Sequence, residues 1–193
     1  MNVTKTPNEI LVCDTGRWGS RLYIENAVKS HPGKVILICE REVPEWKELL
    51  KPVKHGSLES LSDFGKIQIS LSTVALFLPL SNNERIAEYN RMMKDVEKFI
   101  MRYIDDEDVL FVFDESCNTV PYLIPDLIVG NHASGKIIVA QNLDQIIFCC
   151  QTYGKEYGDR DWCEELVSNR RLWEEAWDDG NKESEFYYRL EAV

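Results

Sequence analysis

The chain has no apolar run approaching the ~20 residues that a bilayer-spanning helix needs. Its first residues, Met1 to Asn8, are polar and lack the apolar stretch of a signal peptide, so a cytoplasmic protein with no membrane partner is expected. There is no Cys-x-x-Cys pair and no cluster of cysteine with histidine, which argues against a zinc site. Six cysteines are present, but Cys13, Cys39, Cys149 and Cys150 lie in or beside apolar runs. Buried reduced thiols account for that placement better than a disulfide framework does. Basic residues are few: 22 Lys and Arg stand against 33 Asp and Glu, a formal net charge of -11. Phosphate affinity comes largely from Lys and Arg, so this balance works against a broad nucleic-acid-binding surface and leaves only a local basic patch open. Internal repeats and low-complexity tracts are missing as well.

What is present describes a soluble globular domain of 193 residues, 44% hydrophobic and 28% charged. Glu9 to Cys13 reads as a strand, followed by a Gly-containing turn over 14–21 and a helix over 22–30. After the turn at His31, Pro32 and Gly33 comes a second strand, Lys34 to Cys39, and the whole makes a βαβ unit with parallel pairing. Pro44 suits the first turn of a short helix. Residues 51–66 read as loop with a short amphipathic piece, 66–71 as a half-buried strand and 73–78 as another strand. Ser81 with Glu84 forms a capping-box signal, and Ile86, Tyr89, Met93, Val96, Phe99, Ile100 and Tyr103 share one face of the helix that follows. A short helix over 120–129, a buried strand over 136–140 and a short strand over 146–150 complete the expectation. The expected architecture is α/β, a mainly parallel sheet with helices on both faces. The organisation expected is one domain over 1–153 and a helical, acidic and aromatic appendage over 154–193, where Trp162, Trp173 and Trp177 are candidates for packing on the sheet or docking a partner.

The most informative stretch is Asp108 to Asn118. Val109 to Phe113 is continuously apolar, as in a strand buried on both faces, and it runs straight into Asp114 and Glu115. Open parallel sheets bind ligands at the rim where their strands end. An acid pair there is the pattern of a Walker B segment, in which the Asp serves a Mg²⁺ ion and the Glu polarises an attacking water. The plainer reading is a strand that ends in a solvated acidic turn.

Two segments carry a resemblance: Phe111 to Glu115, and Gly130 to Gln141 (Gly-Asn-His-Ala-Ser-Gly-Lys-Ile-Ile-Val-Ala-Gln). Their order and spacing resemble the HerA/FtsK group of P-loop ATPases, which includes conjugation coupling proteins and viral DNA-packaging ATPases. That resemblance implies ATP and Mg²⁺ as cofactors, Asp114 at the metal, and Glu115 and Gln141 as catalytic base and γ-phosphate sensor. It also implies a homo-oligomeric ring and a DNA partner. Phosphate contacts would fall to Gly16, Arg17, Gly19, Ser20 and Arg21 after the first strand.

The phosphate loop departs from the family pattern Gly-x-x-x-x-Gly-Lys-Ser/Thr. With Gly19 as the last glycine, Asp14, Ser20 and Arg21 replace the first glycine, the lysine and the hydroxyl. With Gly16 as the first, Arg21, Leu22 and Tyr23 fall where Gly, Lys and Ser/Thr belong. Hydrolysis is therefore expected to be very slow or absent. A second reading is a Rossmann-type dinucleotide site, with Gly16 and Gly19 in the turn and Glu40 as the ribose-binding acid about 20 residues on. A third is a non-enzymatic interaction protein that retains the fold. His132 reads as a solvated or capping histidine in a turn near the acid pair, and Cys117 beside the carboxylates is unsuited to be a nucleophile.

Overall fold

Among the described residues six strands pair into one sheet, most of them rich in Val, Ile, Leu and Phe: β1 (Asn8–Val12), β2 (Lys34–Cys39), β3 (Lys51–Val53), β4 (Lys66–Ser70), β5 (Val109–Phe113) and β6 (Gly135–Ala140). The computed structural model describes residues 8–12, 17–40, 46–71, 81–114, 119–129 and 132–157. Strand order is β1-β6-β5-β2-β4-β3, and every pairing is parallel. The α/β expectation is met. β5 is flanked on both edges and buried on both faces, which is why its five residues show no polar alternation. β4 differs from the half-buried strand expected there. Ile67, Gln68 and Ile69 are all buried, and neither side-chain amide atom of Gln68 has a hydrogen-bond partner among the described residues.

Parallel strands must be returned to their starting edge by crossovers, and those crossovers cover the two faces. Ile24 and Val28 of α1 (Arg17–Ser30), with Trp46 and Leu50, pack on one face against Leu11, Leu37, Leu110, Val112 and Ile137. The other face is covered by α2 (Asn82–Tyr103), α3 (Ile124–Val129) and α4 (Leu143–Tyr157). Met93, Val96, Phe99 and Ile100 of α2 lie there over Ile36, Ile38, Phe111 and Phe113.

α2 begins with the expected capping box: the Ser81 N–H donates to Glu84 Oε2 at 2.8 Å, and the Glu84 N–H donates to Ser81 Oγ at 3.4 Å. Its apolar stripe is only partly buried, because Ile86 is 60% exposed. Length explains this. At about 1.5 Å per residue the 22-residue helix outruns a five-residue strand at about 3.3 Å per residue, so its first turns overhang the edge where the strands end. Tyr89 is on that overhang, where partial burial, then the charge of Glu40 at the end of β2, raise its phenol above the ordinary value.

Several local expectations are corrected. Residues 146–150 belong to α4 rather than a strand, since the apolar residues Ile146, Cys149 and Cys150 recur at helical spacing and face the core together. The stretch 51–66 contains β3 and a 3₁₀ turn, His55–Ser57, not loop alone. α4 runs from Leu143 to Tyr157. The strand expected at 73–78, the helix start at Pro44 and the aromatic segment 158–193 lie outside the described residues. Cys39, Cys149 and Cys150 are buried thiols outside any disulfide among the described residues, as expected.

The edge where the strands begin is tightly fastened. Asp108 C=O accepts from the Lys34 N–H at 2.9 Å and lies 3.0 Å from His31 Nε2. Lys34 Nζ is 3.1 Å from Asp106 Oδ2 and also lies over the Phe64 and Tyr103 rings at 5.8 and 5.7 Å from their centroids. Gly33 is part of this fastening, because a Cβ there would stand 2.1 Å from the Asp108 carbonyl oxygen. Gly33→Ala is expected to destabilise the domain by about 1–3 kcal/mol, the range for forced overpacking. Urea unfolding measures it, and a change below about 0.5 kcal/mol, as for an unconstrained surface position, would show that the turn yields freely.

Candidate functional site at the strand ends

Because every strand runs the same way, the residues that follow β1, β6 and β5 emerge at one edge of the sheet. β6 lies between the other two, and parallel neighbours are about 4.8 Å apart, so the ends of β1 and β5 are separated by about 10 Å. Asp114 follows β5 and is half-buried. Its N–H donates to Ile38 C=O at 2.8 Å, so the ladder with β2 extends one residue beyond the strand. Alternation then assigns Asp114 to the face of Leu110 and Val112, which is the α1 face. Gln141 follows β6, is exposed, and continues the alternation of Ile137 and Val139 on that same face. The exposed start of α2 and Glu40 lie at this edge too.

The proposed phosphate contacts are arranged differently from a loop over 14–21. β1 ends at Val12 and α1 starts at Arg17, so Arg17, Gly19, Ser20 and Arg21 belong to the helix and only 13–16 connects. A helix begun so early turns its first N–H groups, which have no partner within the helix, toward the same edge. No acid occupies its first turn. Gly16 and Glu115 lie outside the described residues. One edge of the sheet therefore carries the N-terminus of α1, the Asp114 carboxylate and the Gln141 amide. Magnesium is held by one or two carboxylates, with waters and substrate phosphate oxygens filling its remaining positions, and Asp114 meets that donor requirement.

A second polar cluster sits at the opposite edge, where reading the sequence missed it. His132 precedes β6 and is therefore across the sheet from Asp114, not beside it. It is half-buried, its Nδ1 3.3 Å from Asp105 Oδ1 and its Nε2 3.4 Å from Asp126 Oδ2. The latter contact is within ion-pair range without hydrogen-bond alignment. Lys136, the second residue of β6, is 1% exposed, and Ser134 is buried with no partner for its Oγ among the described residues. Burial lowers the Lys136 amine to about 8, against the opposing pull of Asp126 and Asp105. The signal was available: a lysine inside an apolar run buried on both faces requires acidic partners.

A lysine whose folded value lies below its unfolded value of 10.5 is protonated less readily when folded, so it opposes folding wherever it is charged in the unfolded chain. The opposition is complete below pH 8 and fades as pH rises to 10.5, an effect of at most about 3 kcal/mol. Lys136→Met is expected to remove that alkaline gain. Urea unfolding at intervals from pH 7 to 10.5 measures it. An unchanged pH slope in the variant would exclude Lys136 as its source.

Comparisons of the chain with protein-family models, with curated proteins and with solved structures give no match.

Proposed function

We propose that this chain is a P-loop-like, nucleotide-binding domain of the HerA/FtsK type, in which a divergent phosphate loop leaves hydrolysis very slow or absent. One observation carries the reading: β1, β6 and β5 are consecutive in the sheet and parallel, so the N-terminus of α1, Gln141 and Asp114 belong to the same edge. A nucleotide with Mg²⁺ needs that convergence, with phosphate at the helix N-terminus, metal at the carboxylate and an amide between them. Asp114 would hold the metal or its water, Glu115 would polarise the attacking water, and Gln141 would respond to the terminal phosphate. In place of the family's lysine, Arg17 and Arg21 would offer positive charge without its point contact. The resemblance further implies ring assembly and a DNA partner, which both remain part of this proposal.

The dinucleotide reading fits the strand order poorly. In that fold the first strand adjoins the second, which presents the ribose-binding acid beside the glycine turn. Here β6 and β5 stand between β1 and β2, and Glu40 ends the wrong strand for a ribose bound at Gly16.

In phosphoryl transfer the protein contributes mainly positioning and charge neutralisation. A missing lysine and a missing metal-binding hydroxyl each remove a contact of roughly 3 kcal/mol, so together they slow the reaction by about four orders of magnitude. The full chain is expected to bind ATP in a Mg²⁺-dependent manner, Asp114→Asn to weaken that binding about tenfold or more, and phosphate release to stay far below ~1 per second. Calorimetry with ATP and a phosphate-release assay, with Glu115→Gln as control, test this. No binding at millimolar ATP sinks the nucleotide reading. Turnover at ordinary rates that vanishes in Glu115→Gln overturns the slow-hydrolysis half and makes an arginine the lysine substitute.

A further inference from the structure

Where the strands begin, one side chain joins three elements. His132 precedes β6, Asp105 follows α2, and Asp126 belongs to α3. The imidazole presents both of its nitrogens to carboxylates, Nδ1 at 3.3 Å from Asp105 Oδ1 and Nε2 at 3.4 Å from Asp126 Oδ2. Protonation decides whether that arrangement is satisfied. A carboxylate only accepts hydrogen bonds, and a neutral imidazole carries one N–H and one lone pair. In the neutral ring, therefore, one nitrogen turns its lone pair toward a carboxylate oxygen. The imidazolium instead donates from both nitrogens and meets a negative charge on each side. With the His132 side chain only 13% exposed, water does little to relieve the mismatch of the neutral ring.

The surrounding charges agree. Lys136 of β6 is drawn to the same two acids, and its neighbours across the ladder, Asn8 of β1 and Phe111 of β5, are uncharged. Two carboxylates thus stand against two cations when His132 is charged and against one when it is neutral. The backbone fixes the place as well: the Ser134 N–H donates to Ile104 C=O at 3.0 Å, which holds the chain after His132 against the end of α2.

We propose that His132 is a proton-operated clasp, which when charged holds both α3 and the end of α2 to the start of β6, and when neutral releases one of them. The unfolded chain makes neither contact, so folding favours the charged ring. The contribution is full near pH 5 and is lost as pH rises through the histidine range, ~5 to 8. Lys136 acts with the opposite sign, and only from about pH 8 upward. α3 lies in the crossover from β5 to β6, the strands that lead into Asp114 and Gln141, so the clasp regulates the connection between them whether or not a nucleotide binds.

Amide exchange on the full chain at about pH 5.5 and 7.5, corrected for the intrinsic rate at each pH, tests the clasp. Leu127, whose N–H donates to Leu123 C=O at 2.9 Å, reports on α3. Its protection is expected to fall about threefold or more from the lower pH to the higher. The fall is expected to vanish in His132→Gln. It is also expected to vanish in Asp105→Asn, an exposed position where the amide can donate to Nδ1 and so satisfy the neutral ring. His31 and His55 remain in both variants, so their titration does not produce the difference. Equal protection at the two pH values in the unaltered protein overturns the proposal. So does a fall that persists in either variant, since it then arises from groups other than this bridge.

Discussion

Because all six strands run parallel, no strand can reach its neighbour through a tight turn, and the chain must cross the sheet between every pair. Those crossings bury both faces and divide the apolar residues into two cores, one beneath α1 and one beneath α2, α3 and α4. β5 lies at the centre of both. Its alternate residues supply Leu110 and Val112 to one core and Phe111 and Phe113 to the other, where those two phenylalanine rings stack at 5.7 Å. A polar substitution anywhere along it would meet apolar neighbours on every side.

Parallel pairing also makes the two edges of the sheet unequal. At the edge where strands begin, polar contacts tie the elements to one another. Lys66 Nζ donates to Val28 C=O, Lys34 pairs with Asp106, the Ser134 N–H donates to Ile104 C=O at 3.0 Å, and His132 joins the end of α2 to α3. The Asp106 carboxyl is held below its ordinary range by the Asp108 N–H and then by Lys34. At the other edge, helix starts, strand ends and the overhang of α2 surround Asp114 and Gln141. One edge is fastened so that the other can hold groups in a fixed arrangement, which is what metal and phosphate binding demands.

The same contrast bears on the chemistry. Acidic groups near a polyphosphate repel it unless a metal ion stands between them. The proposed site, built on Asp114 with arginines in place of a lysine, would therefore depend more on Mg²⁺ for affinity than one with an intact phosphate loop. Binding without efficient turnover would suit a switch or scaffold better than a motor.

Much of the fold was legible in the sequence because burial on both faces leaves a local mark. Val35 to Cys39, Val109 to Phe113 and Ile137 to Ala140 are continuous apolar runs, and Ser81 with Glu84 announces α2 by a hydrogen-bond pattern that needs no distant partner. Short segments were misread where local pattern is degenerate. Ile146 to Cys150 suits a strand or one face of a helix equally, and Lys66 to Ser70 alternates although both its faces are covered. Of the candidate site, the sequence by itself determined that acids and an amide close two buried strands. Only the tertiary structure decided that these strands are neighbours, that β1 stands next to them rather than beside β2, and that His132 lies across the sheet with Lys136. Strand order is set by which helix covers which face, a contest among residues far apart in the chain, and no single stretch of sequence holds that information.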